Sequence, residues 1–204
     1  FGTTPGSGKI PEPHMLGAWS TGFKKLFLLR ERFTPLIHLP ARELWDECEV
    51  MNLEEAVIAL TEWSKRENRL LLSFSIHEPK AILQYCSKGS VSSFMERFVN
   101  AKITINKWHK QYRKGKPKGT SLKGYFKLVK IDNQTPETFS PAKSLRLIEK
   151  AVNKTRRWNK LDEKSKEEWK NLVLYNLHDC KGLHKLTVKS SNGLLARKNN
   201  RNTK

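Results

Sequence analysis

The sequence predicts an α/β fold: a mixed sheet flanked by helices, one strand short at its front. Three observations predict it. Two short apolar runs, residues 15–20 and 23–29, flank Thr21-Gly22 in the pattern of a β-hairpin. Residues 70–75 (LLLSFS) form the compact apolar run of a buried strand. Around these runs, apolar residues recur at helical spacing in several segments. The order is hairpin, helix, strand, helices and a long terminal helix, a layered arrangement that lacks a strand before the hairpin.

Residues 1–14 are rich in Gly, Thr and Pro and read as a loop. After the hairpin, residues 35–39 read as a third, edge strand. Asn52 is placed to cap a helix, with Glu54 and Glu55 in its first turn, where acidic groups complement the helix dipole. Leu53, Val57, Leu60 and Trp63 carry that helix toward Asn68. Beyond Pro79, the spacing of Ile82, Leu83 and Cys86 predicts another helix, and residues 91–99 a further one. Residues 101–123 are densely basic, and their start fits strand or helix equally. Ser140 is placed to cap a helix running to about Trp158. The last helix covers about residues 163–186, with Trp169, Leu172, Tyr175, Asp179 and Leu183 along one face. Residues 188–204 read as a basic, disordered tail. One domain therefore spans residues 15–187. Trp19, Trp45, Trp63, Trp158 and Trp169 are assigned to the core, and His14, His38 and His184 have no partner at metal-binding spacing.

The 204 residues carry 39 Lys+Arg against 20 Asp+Glu, a formal net charge of +19. Such an imbalance repels itself, and polyanion binding is its usual reason, because each cation that meets a phosphate releases a condensed counterion. Cys48, Cys86 and Cys180 are odd in number and far apart, which argues against a disulfide framework or a structural zinc site. No apolar stretch approaches the length of a membrane span, and the first residues lack a signal pattern. The chain reads as soluble, intracellular and cytoplasmic, with DNA or RNA as its partner. It begins with Phe1 rather than Met.

Two short constellations point to chemistry. Tyr175 and Asp179 stand four apart on the final helix, so phenol and carboxylate share one face a turn apart. Ser75-Ile76-His77-Glu78 follows the LLLSFS strand, at the carboxyl end where functional groups cluster in open α/β sheets. There Glu78 is a candidate metal ligand and His77 a candidate base or phosphate contact. A basic, aromatic-interleaved stretch holds Lys107, Trp108, Lys110, Tyr112, Arg113, Lys114, Lys116, Lys118 and Lys123. In that pattern aromatics stack on unpaired bases while cations track phosphates. Arg156 and Arg157 belong to a second basic cluster, suited to backbone contact rather than base readout.

Residues 169–183 (WKNLVLYNLHDCKGL) resemble the third exonuclease motif of the ribonuclease H-like superfamily, in its Tyr-containing DEDD branch. The likeness is to the YprB-type and RecB-associated predicted nucleases. Residues 71–78 (LLSFSIHE) are similar to the second motif of that group, and Thr120-Ser121-Leu122-Lys123 to its S-L-K segment. The resemblance covers roughly residues 15–187. It implies a metal-dependent 3′–5′ exonuclease hydrolysing phosphodiesters of DNA or RNA with two Mg²⁺ or Mn²⁺ ions. It also implies that Asp179 is a metal ligand, that Tyr175 orients the attacking water, that Glu78 stands at the second motif's acidic station, and that Lys123 lies near the scissile strand. The family's first motif, D-x-E on the first strand, is absent. The expectation is a chain cut within or just after that strand. The other reading is a non-catalytic nucleic-acid-binding domain with a degenerate ribonuclease H-like fold.

Overall fold

The computed structural model describes residues 10–37, 41–112, 121–131 and 139–202. The hairpin forms as predicted. β1 (Met15–Ser20) pairs antiparallel with β2 (Phe23–Leu28), and Gly22 takes the turn at φ 79°. Residues 35–37 of the expected third strand are not a strand, and residues 38–39 lie outside the described residues. Glu31–Leu36 is instead a 3-10 turn, with Phe33 and Leu36 buried three residues apart and Pro35 within it. A short helix, α1 (Ala41–Leu44), leads to the actual third strand, β3 (Glu47–Val50), parallel to β2. Glu47 and Glu49 alternate with Cys48 and Val50. The two acids meet Lys25 of β2 at 2.7 and 2.8 Å, while Cys48 and Val50 join the core. Pairing to the lysine and burial of the alternate residues select this segment, although it is only four residues long.

α2 (Leu53–Arg66) starts at Asn52 with a full capping box: Glu55 N–H donates to Asn52 Oδ1 at 2.9 Å, and Asn52 N–H donates to Glu55 Oε2 at 3.0 Å. β4 (Leu71–Ser73) follows, then α3 (His77–Tyr85), α4 (Lys88–Met95), β5 (Phe98–Asn100) and α5 (Ala101–Tyr112). β4 is shorter than its apolar run suggests and is not buried through its length, since Leu72 remains 39% exposed. It pairs parallel with β5 in a separate two-stranded sheet. α6 (Leu122–Val129), α7 (Pro141–Thr155), a 3-10 turn at Trp158–Lys160 and α8 (Glu163–Asn202) complete the chain. Ser140 occupies the N-cap position of α7 without a side-chain capping bond, and Pro141 supplies the preset φ at the first helical position instead.

The two sheets share their covering layers. Leu16, Ala18, Phe23 and Phe27 of the first sheet and Leu71 and Phe98 of the second meet the same face of α2, built from Leu53, Ala56, Val57 and Leu60. On the opposite face, Met15, Trp19, Leu26 and Leu28 pack under α7 and α8, while Phe74, just past β4, packs with α5, α6 and α8. Among the described residues no strand pairs with the outer edge of β1 or with the side of β4 away from β5. The result is a mixed α/β arrangement with its sheet in two parts.

α8 crosses both parts. It runs on to Asn202, so the segment read as a disordered tail is helical as far as that residue. Its last turns are held by tertiary contacts: Leu194 packs with the α5–α6 cluster, the Tyr112 hydroxyl donates to the Gly193 carbonyl, and Arg197 donates to the Gln111 carbonyl at 3.2 Å. Over β1, α8 approaches so closely that a Cβ at Gly17 would overlap Asn176 Oδ1 and come within 2.7 Å of the Trp45 ring. Gly17→Ala is therefore expected to lower stability by about 1–3 kcal/mol, the usual cost of overpacking a filled site. Urea unfolding monitored by circular dichroism measures it, and an unchanged midpoint would show that α8 does not seat on β1 in this way.

Candidate functional site

The middle of α8 carries the Tyr175–Asp179 pair because its neighbours force the register. Trp169, Leu172, Val173 and Leu177 are buried against the first sheet, so Tyr175 and Asp179 fall on the flank of that stripe. The Tyr175 hydroxyl lies within hydrogen-bonding reach of the Asp179 carboxylate. Phe139 leans on the Tyr175 ring at 5.5 Å, and Lys123 Nζ sits over that ring at 4.8 Å from its centroid. Lys123 stands in the first turn of α6, which Ser121 caps by accepting the Gly124 N–H at 3.1 Å. Phe126, three residues on, is seated against Gly182 of α8. Tertiary packing thus brings Tyr175, Asp179 and Lys123 together from two helices.

Glu78 enters from the start of α3. Ser75 Oγ accepts the His77 N–H at 3.0 Å and donates to Glu78 Oε2 at 2.5 Å, fixing the carboxylate above the helix N-terminus. The Ser75 carbonyl is itself held by Ser73 Oγ at 2.8 Å. The Glu78 and Asp179 charges both raise the pKa of the Cys180 thiol. His77 Nδ1 is buried without a hydrogen-bond partner, and among the described residues no hydrogen bond or ion pair joins His77 to Tyr175 or Asp179.

Burial sets the protonation of the group. It pushes the Asp179 carboxyl up to about 6, against the opposing pull of the Tyr175 hydroxyl and the Lys123 charge. Tyr175 is held well above the ordinary phenol range, first by burial and then by the Asp179 charge. At neutral pH the phenol is therefore a hydrogen-bond donor and the carboxylate largely ionised. Cys180 is pushed up to about 12 by burial and the two carboxylates, and its Sγ–H points to the Gly17 carbonyl at 3.5 Å. That thiol stays protonated and serves as a packing donor.

A hard divalent ion needs several oxygen ligands. Asp179 Oδ1 is buried without a hydrogen-bond partner, an oxygen suited to a hard cation. Glu78 adds a second carboxylate, one oxygen of which is already taken by Ser75. Among the described residues no three of His, Cys, Asp and Glu gather so as to hold a metal. Two ions of a phosphodiesterase centre need more carboxylate ligands than these, so the described residues by themselves do not fit the pair.

The basic stretch behaves differently from its sequence reading. Lys107 and Lys110 are exposed on α5, but Trp108 is 6% exposed and packs against Gly193 of α8. Tyr112 stacks on Trp108 at 6.3 Å, under Arg197 at 6.0 Å. Trp108 is thus a core residue and no stacking platform, because the helical period turns it inward with Ala101 and Ile105. Arg113, Lys114, Lys116 and Lys118 lie outside the described residues. Arg156 and Arg157 are exposed at the far end of α7. Ser75, the residue that positions Glu78, carries a sequence signal in its S-x-x-E spacing. Asn176 and Cys180 lie within the motif-like segment 169–183, but nothing in the sequence marks their contact with Gly17. Among the described residues no helix is long and apolar enough to cross a membrane. Comparison with family models, with curated proteins and with solved structures found no match.

A pH dependence follows from Asp179. Its folded pKa, about 6, lies above its ordinary value of 3.8, so its ionised form opposes folding. That cost is fully present above pH 6 and fades as pH falls toward 4. Asp179→Asn is expected to stabilise the fold by roughly 2 kcal/mol at pH 7.5 and by much less at pH 4.5. Paired thermal melts at the two pH values measure the difference. An equal effect at both would place Asp179 in solvent.

Proposed function

We propose that this chain is a nuclease domain of ribonuclease H-like type, a metal-dependent 3′–5′ exonuclease hydrolysing the phosphodiesters of DNA or RNA. The observation that carries the reading is the Tyr175–Asp179 pair on α8, gathered with Lys123 of α6. Tyr175, Asp179 and Lys123 are residues that two of the resembling segments single out, and they come from two separate helices. The split sheet supports the same reading. The edges of β1 and β4, which no strand among the described residues pairs, lie under shared helix layers and suit a sheet whose central strand would bear the missing acidic pair.

In this reading the chain's own residues do three things. The Tyr175 hydroxyl, kept protonated, orients the water that attacks phosphorus. Asp179 would offer its unpartnered Oδ1 to a Mg²⁺ or Mn²⁺ ion, with Glu78 as a second carboxylate, and the two by themselves do not complete a two-ion site. Lys123 sets a positive charge beside the phosphate that is cut. The ions, when bound, would supply charge stabilisation of the leaving oxygen.

A second reading, a non-catalytic nucleic-acid-binding domain of the same fold, is favoured by one observation. Asp179 and Glu78 alone make too few ligands for catalysis by two ions.

End-labelled single-stranded DNA and RNA separate the two readings, incubated with Mn²⁺ or with chelator. The chain is compared with a version extended upstream through a first strand. Metal-dependent shortening from the 3′ end is expected of the extended form, with complete loss on Asp179→Asn. Tyr175→Phe should cost on the order of 10²-fold in rate. Salt-sensitive binding without cleavage in either form would establish the binding domain instead. Full activity in Asp179→Asn would refute the nuclease assignment.

A further inference from the structure

The C-terminal end of α7 borders an open cavity of about 390 Å³, lined by Pro35, Arg156, Arg157, Trp158 and Asn159. Its volume lies within the range of small-ligand clefts. The backbone around it is held tightly. Thr155 Oγ1 donates to the Arg157 carbonyl at 3.4 Å, Lys160 N–H to the same carbonyl at 3.2 Å, and Leu161 N–H to the Trp158 carbonyl at 3.1 Å. Arg156, the C-cap of α7, is left-handed at φ 50°. Glycine is the usual occupant of that conformation at a helix end, so an arginine there is a departure from the local backbone preference.

The side chains around the cavity are of one kind. Arg156 and Arg157 are exposed, and among the described residues neither joins an ion pair, whereas Arg30 and Arg32 are matched to Glu12 and Glu149. Among the described residues no acidic residue lines the cavity. Trp158 is half-buried, its inner side packed on the main core. Two guanidinium groups favour phosphate, an indole face favours a flat ring, and the Asn159 carboxamide both donates and accepts. Phosphate next to an aromatic ring is the chemistry of a nucleotide.

We propose that this cavity is a subsite for one nucleotide of a single-stranded nucleic acid, with phosphate on Arg156 and Arg157 and base on Trp158. The proposal rests on the nucleic-acid reading above and adds an anchor separate from the Tyr175–Asp179 centre. Phe139, just before α7, touches Tyr175, and the cavity lies past the other end of that helix. Fifteen residues of helix span on the order of 20 Å at about 1.5 Å each. A strand engaging both places covers about six nucleotides at a stacked spacing of about 3.4 Å. The cavity would thus hold the strand away from the reacting end.

The test is fluorescence anisotropy with labelled 12-nucleotide oligothymidine and oligouridine, titrated with the full chain and its variants. Arg157→Ala and Trp158→Ala are each expected to weaken both oligomers about tenfold, the effect of losing one phosphate clamp or one stacked base. Trp158→Phe retains a stacking ring and should recover most of that loss. Arg156→Gly should weaken binding and at the same time raise the melting temperature, a combination that a merely structural role for Arg156 does not produce. Lys65→Ala, an exposed cation on α2, should change affinity less than twofold. If Arg157→Ala and Arg156→Gly bind like Lys65→Ala while the unaltered chain binds well, the subsite is refuted and the nucleic-acid reading stands. If the unaltered chain binds neither oligomer at low salt, that reading itself is overturned, and the subsite with it.

Discussion

The contact of α8 with β1 is the constraint on which the remaining structure depends. Gly17 has no side chain, so the helix comes down until Asn176 and Cys180 touch the strand's backbone region, with Trp45 closing the side. Trp169, Leu172, Val173 and Leu177 bury the adjoining stripe. Because α8 is a continuous 40-residue rod, its seating on β1 also sets where Gly182 meets Phe126 and where Gly193 meets Trp108. α6, which carries Lys123, is therefore placed relative to Tyr175 by a contact made with the sheet. A helix displaced from Gly17 would pull apart residues that have no direct bond to the strand.

The same contact makes a costly position for a carboxylate. Asp179 is carried into partial burial by its neighbours on the apolar stripe, and its Oδ1 finds no hydrogen-bond donor. A buried, half-satisfied carboxyl opposes folding, and proteins retain such groups most often where chemistry uses them. Lys123 and the Tyr175 hydroxyl offset part of the cost without removing it. The arrangement is held by the large apolar surface on either side, which fixes the helix whatever the charge at Asp179.

Charge is distributed unevenly over the fold. Around the first sheet, Lys24, Lys25, Arg30 and Arg32 are each matched to a carboxylate. Those acids stitch β2 to its flanking segments and neutralise that side. Lys107 and Lys110 on α5 and Arg156 and Arg157 past α7 have no such partners among the described residues. The excess positive charge therefore gathers on the layer that also holds Lys123 and Asp179.

The hairpin, the capping box of α2 and the apolar face of α8 were legible in the sequence, because each depends on residues close along the chain. Two apolar runs flanking Thr21-Gly22, Asn52 with Glu54 and Glu55 after it, and the spacing of Trp169, Leu172 and Tyr175 are local signals. Other features depend on partners far away in sequence and had no local mark. Residues 35–39 and 47–50 are both short, and only Lys25 and the core beneath Cys48 and Val50 choose between them. Trp108 looked like a surface aromatic among lysines until α5 turned it toward Gly193. Residues 188–202 have a polar composition typical of a tail, yet Tyr112, Gln111 and the α5–α6 cluster hold them as helix. Likewise the four-residue spacing of Tyr175 and Asp179 was readable, whereas their company with Lys123 was decided only by packing. Local spacing determines which residues share a face. Only tertiary structure decides what that face meets, since burial and pairing depend on segments that the chain separates by up to a hundred residues or more.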